Sequence, residues 1–106
     1  MKYTIIENVP GKDVFHRVPH WYQKNISKHF VKDEEMYTII EFRDKVVLSR
    51  TVKKALKDAP EGKPIVVVAH EFTMDSSHLL NEHGISTPGH QFGWTDERYK
   101  IIRESS

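Results

Sequence analysis

Apolar and polar residues change their spacing several times along this chain, and each change of period predicts an element. Lys2 to Asn8 is apolar and β-branched and reads as a strand, ended by Val9-Pro10-Gly11-Lys12, where proline and glycine make a turn. Residues 13 to 18, DVFHRV, fit either a short return strand or an entry loop. From Pro19 to Lys32 the period becomes helical. Val18, Tyr22, Ile26 and Phe30 recur every four residues as an apolar ridge, and proline is accommodated in a first turn. Asp33-Glu34-Glu35 interrupts it. Met36 to Arg43 and Lys45 to Ser49 then alternate as two strands of a tight hairpin around Asp44, although Arg-Asp is not a favoured turn pair.

Thr51 to Ala59 places Val52, Ala55, Leu56 and Ala59 on one face, a short helix stopped by Pro60 and Gly62. PIVVVA follows, a run with no polar side, as in a strand covered on both faces. Thr73 or Asp75 can cap the next helix, and Gly84 supplies a left-handed C-terminal cap. Ser86 to Gly89 is loop. The tail predicts a helix with Thr95 as N-cap, Asp96 and Glu97 in its first turn, and Trp94 stapled onto Tyr99. Together these give a single α+β domain over residues 1–106, a mixed sheet of about four strands with helices packed on it, in the order β-α-β-β-α-β-α-α. The first six elements spell a ferredoxin-like split unit, and a three-stranded meander with a helical crossover is its competitor.

Composition narrows the class. With 106 residues, 38% hydrophobic and 29% charged, the chain has room for one modest core. Its longest apolar run, Ile65 to Ala69, is far too short to cross a bilayer, and no signal-peptide pattern opens the chain, so an intracellular, cytoplasmic protein with no membrane partner is expected. The absence of cysteine excludes disulfides, thiolate metal sites and thiol catalysis. The net charge of +1 conceals an asymmetry: residues 1–57 carry 12 Lys+Arg against 7 Asp+Glu, and residues 58–106 carry 4 against 8. A concentrated basic surface attracts polyanions even on a nearly neutral molecule.

The cations are patterned. Val14 to Lys32 holds no acidic residue, and Arg17, Lys24, Lys28 and Lys32 are joined there by His16, His20 and His29. On the expected helix, His20, Lys24, Lys28 and Lys32 form a four-residue series two positions, or 200° of rotation, from the apolar ridge. Trp21 lies beside this stripe, as phosphate binding with base stacking would use it. Arg50, Lys53, Lys54 and Lys57 supply a second set on the next helix, and two helices on one sheet face would merge their charges. DNA or RNA is the partner such a surface fits, and a solvated helix face with Trp21 in the core is the plainer alternative.

Five residues recur letter for letter, Tyr3-Thr4-Ile5-Ile6-Glu7 and Tyr37-Thr38-Ile39-Ile40-Glu41. Two half-buried strands filled with the same β-formers account for this, since the similarity stops at the pentapeptide. A sharper reading uses the acids. Parallel strands joined by a crossover would end in Glu7 and Glu41 at equivalent edges, and adjacent strands would bring the carboxylates to roughly 5 Å, within reach of a shared divalent metal. A ferredoxin-like order would instead insert the third strand, with Lys45 between them.

Seven histidines raise metal binding, but His78 and His83 are five apart on one helix and diverge by about 140°. His70-Glu71 follows the buried strand at the carboxyl edge where α/β proteins place sites, with Asp75, His83 and His90 able to approach.

From Tyr37 to Ser86 the sequence, YTIIEFRDKVVLSR through PIVVVAHEFT to NEHGIS, resembles the latter half of restriction-endonuclease-like domains of the Mrr type, in which an acid-x-Lys strand leads through a helix to an apolar strand, Phe-Thr, a helix and Gly-Ile. The resemblance implies metal-dependent DNA cleavage, with Glu41 as the metal-binding acid. The family's lysine position holds Arg43, whose guanidinium stays protonated and so cannot act as a proton carrier at ordinary pH. Asp33 stands only eight residues before Glu41. The expectation is therefore a non-catalytic nucleic-acid-associated protein, with a regulatory or inhibitory protein-binding module and a divalent-metal nuclease as alternatives.

Overall fold

The structure, a computed structural model, describes residues 2–17, 32–87 and 92–95. Its elements are β1 (Tyr3–Pro10), α1 (Gly11–Arg17), β2 (Met36–Phe42), α2 (Ser49–Asp58), β3 (Ile65–Val68), α3 (Met74–Glu82), β4 (Ile85–Ser86) and β5 (Phe92–Thr95). The strands form one mixed sheet in the order β1-β2-β3-β5-β4. Only β2 and β3 run parallel, joined through α2, while β1 on β2, β5 on β3 and β4 on β5 are antiparallel. This is an α+β fold, with five strands among the described residues where about four were expected. The ferredoxin-like order and the meander are both replaced.

Alternation along the strands sorts the core into two faces. Tyr37, Ile39 and Val66 meet Val9 and Val14 on the side of α1, with Ile6 and Val68 packed against them. Ile40, Phe42 and Val67 meet Val52, Ala55 and Leu80 on the side of α2 and α3, with Tyr3 and Ile5 at the margin. The PIVVVA run is thus covered on both sides, as its uniform hydrophobicity indicated.

Three departures from the expected elements have physical causes. β1 passes through Pro10 instead of turning at Val9, because an irregularity between Ile6 and Val9, with Asn8 at φ 57°, absorbs the break and lets Val9 pair with Tyr37. Pro10 is tolerated there because β1 is an edge strand. Gly11 then starts α1. Its N–H donates to the Glu35 carbonyl at 2.8 Å, and a Cβ there would lie 1.8 Å from the Lys32 carbonyl oxygen, so this crossing requires glycine.

The hairpin strand over Lys45 to Ser49 does not form. Among the described residues Asn8 is the only non-glycine with positive φ, so Arg43-Asp44 does not adopt the left-handed pair a two-residue hairpin turn needs. Val47 instead bridges Phe72 in parallel: its N–H donates to Glu71 O at 2.8 Å and its carbonyl accepts from Thr73 N at 3.3 Å. At the tail, Trp94 and Thr95 are extended in β5 rather than opening a helix, since β5 fills the place beside β3. Residues 96–106 lie outside the described residues, as does most of the helix expected over 19–32.

The other helix signals hold. Thr73 rather than Asp75 caps α3, its Oγ1 accepting from Ser76 N at 3.1 Å, and Ser76 Oγ donates to Val47 O at 2.7 Å. Gly84, at φ 78°, closes the helix. Among the described residues no helix is long and apolar enough to cross a membrane.

Candidate nucleic-acid interface

α2 is amphipathic in the literal sense. Thr51, Val52 and Ala55 are buried against the sheet, and Arg50, Lys53, Lys54 and Lys57 are all exposed. At 100° per residue, Lys53, Lys57, Arg50 and Lys54 fall at about −60°, −20°, 0° and +40°, an arc of roughly 100° centred away from the buried residues. No acidic residue stands in the first turn, and Lys57 sits in the last, where it complements the helix dipole. Among the described residues none of the four is neutralised by an ion pair. The helix's single acid, Asp58, is occupied elsewhere: it accepts the Tyr3 hydroxyl and ties the end of α2 to β1. That hydrogen bond first, then burial and the Asp58 charge, holds the Tyr3 phenol above its usual value.

Two depressions border the stripe. A groove of about 530 Å³ runs between α2 and α3, with Arg50 and Lys53 on one wall and Asp75, His78 and Glu82 on the other. A cleft of about 480 Å³ lies past the end of α2, with Leu56, Ala59, Ile65 and Ile85 as apolar lining and Lys53, Lys57 and His83 among its polar residues. Lys53 belongs to both. These clefts were not legible in the sequence, because each is assembled from elements that only the fold brings together.

The other expected cations are placed unevenly. Arg17 closes α1, and Lys32 is exposed at the start of the turn before β2, where its N–H donates to Tyr37 Oη at 2.8 Å. Lys32 belongs to the α1 side of the sheet, whereas α2 covers the other, so Lys32 does not merge with the α2 set. His20, Trp21, Lys24 and Lys28 lie outside the described residues.

Glu7 and Glu41 are not brought to equivalent strand edges. β1 and β2 are adjacent but antiparallel, with Thr4 opposite Glu41, Ile5 opposite Ile40 and Ile6 opposite Ile39. The two copies are offset by one residue, so identical letters fall on opposite faces: Ile5 on the α2 side, Ile39 on the α1 side. Glu7 is exposed in the irregular segment, three residues along β1 from Thr4, or about 10 Å at strand rise. Lys45, without its strand, does not stand between them.

Arg43 continues the β2 ladder, its N–H donating to Lys2 O at 2.9 Å, and its Nη2 donates to Thr4 Oγ1 at 2.8 Å. His70 and Glu71 are exposed after β3, and His83 Nδ1 lies 2.9 Å from Leu79 O, where the protonated nitrogen donates. His90 is outside the described residues. Among the described residues no three His, Asp or Glu side chains are grouped to hold a metal ion. Comparison of the chain with protein-family models, curated proteins and solved structures gives no match in any of the three.

Proposed function

We propose that this chain is a non-catalytic, cytoplasmic nucleic-acid-associated protein that contacts the phosphates of DNA or RNA through α2. The observation that carries the reading is the arc of Arg50, Lys53, Lys54 and Lys57, four exposed cations on one helix face with no ion-pair partner among the described residues. Such a stripe gains affinity by releasing counterions from the polyanion, so binding is salt-dependent and largely sequence-independent. Lys32 adds an exposed cation on the other side of the sheet, and the basic stretch that precedes it in the sequence would add further charge, with Trp21 for stacking. Anisotropy with labelled duplex and single-stranded oligonucleotides at low salt tests this. Binding that falls steeply with salt and is lost in Lys53→Glu/Lys57→Glu supports it, and no binding to either nucleic acid refutes it.

A protein-binding role has its own support in the exposed apolar residues beside the starts of α2 and α3, Leu48 at 43% and Met74 at 69% of full exposure, with Val46 nearby. Pull-down from the source cells separates the two readings. A partner retained after nuclease treatment favours the second, and loss of every partner on that treatment favours the first. A nuclease built on Glu7 and Glu41 gains no support from the register, which sets these carboxylates apart.

A further inference from the structure

We propose that the outer edge of β1 is a homodimer interface, on which β1 of a second copy pairs antiparallel about Ile5. β1 ends the sheet, and nothing described pairs with its far side. Arg43 N–H donates to Lys2 O, which makes Lys2 and Arg43 a hydrogen-bonded pair; the regular register then makes Thr4–Glu41 and Ile6–Ile39 hydrogen-bonded pairs too. Tyr3 and Ile5 therefore turn their N–H and C=O groups outward. Edges of this kind are ordinarily guarded by charge, proline or a bulge. Here the irregularity and Pro10 guard only the far end, and Tyr3 to Ile6 carries no charge and stays half-buried.

The fold itself indicates the occupant. On its inner side β1 already pairs antiparallel with a second copy of its own pentapeptide, Tyr37 to Glu41, so this sequence is compatible with itself across a ladder. A second chain brings the same residues. Outward-facing Tyr3 and Ile5 must meet outward-facing residues, and the two-fold arrangement with the greatest overlap sets Ile5 against Ile5 of the second copy, Thr4 against Ile6 and Tyr3 against Glu7. Among the described residues the other edge strand, β4, has two residues and offers no comparable template. Antiparallel pairing keeps like faces together, so both α2 helices lie on one side of the joined sheet. The dimer stands independently of the proposed nucleic-acid binding.

The chain has no cysteine, so single-cysteine variants report this contact directly. In a hydrogen-bonded antiparallel pair the Ile5 Cα atoms sit about 5.5 Å apart, within disulfide range. The expected results are a sedimentation mass rising with concentration to twice 12.4 kDa, rapid disulfide dimerisation of Ile5→Cys with diamide, and none over the same time for the exposed control Glu61→Cys. Ile5→Lys, checked for retained folding by circular dichroism, returns the mass to monomer. A monomer mass at every concentration overturns the proposal. So does a dimer in which Ile5→Cys links no faster than the control. Should Ile5→Lys fail to fold, the cysteine comparison decides alone.

Discussion

Arg43 holds Thr4 across the first strand pair, its Nη2 donating to the threonine Oγ1 at 2.8 Å beside the Thr4–Glu41 register position. A permanent cation therefore occupies the position where an acid-x-Lys strand would present its lysine, and Glu7 lies in the irregular segment about 10 Å along β1. Plasmid DNA incubated with the protein and Mg²⁺ or Mn²⁺ is expected to stay supercoiled. Cleavage that disappears in Glu41→Gln would contradict this.

Tyr37 is buried, donates its hydroxyl to Glu35 Oε2 at 3.0 Å and accepts from Lys32 N. Burial pushes its phenol up to about 12, the Lys32 N–H working against that shift and Glu35 adding to it. A phenol raised above its unfolded value of 10.0 binds its proton more tightly when folded. Its contribution is complete below pH 10 and is lost as pH rises through about 12. Phenolate absorbance should show one tyrosine titrating near 12 in the native protein, and Tyr37→Phe should cost about 1–2 kcal/mol in urea unfolding at neutral pH.

Gly11→Ala should be among the most damaging single changes. The added Cβ meets backbone, the Lys32 carbonyl, which has no rotamer by which to move away. A loss of about 2–3 kcal/mol is expected in urea melts, at the upper end for overpacking.

Thr38 runs the other way. It is fully buried, and its Oγ1 has no hydrogen-bond partner among the described residues. Thr38→Val keeps the shape and removes an unsatisfied hydroxyl, so a gain of about 1 kcal/mol is expected, read as a raised melting temperature.

Elements whose cause is local were legible in the sequence. The Val52, Ala55 and Ala59 spacing gave α2, the Thr73 and Gly84 caps bounded α3, and the unbroken apolar run gave β3, because each rests on residues within one segment. Pairing was not legible. YTIIE reads the same in both strands, and a one-residue offset in register decides which face each letter occupies. Val47 looked like part of a hairpin strand because its alternation is local, while its partner Phe72 is distant in sequence. The exposure of Arg50, Lys53, Lys54 and Lys57 on α2 was legible because exposure on a helix follows from period alone, whereas the Glu7–Glu41 site depended on strand direction.

Salt dependence of nucleic-acid binding by wild type and by Lys53→Ala/Lys57→Ala tests the central claim most directly. For B-form duplex each phosphate contact contributes about −0.9 to the slope of log affinity against log salt. The double variant should bind more weakly at low salt, with a slope shallower by roughly 1.8. A wild-type protein that binds with the same slope as the variant, or does not bind at all, would show that α2 is not the interface.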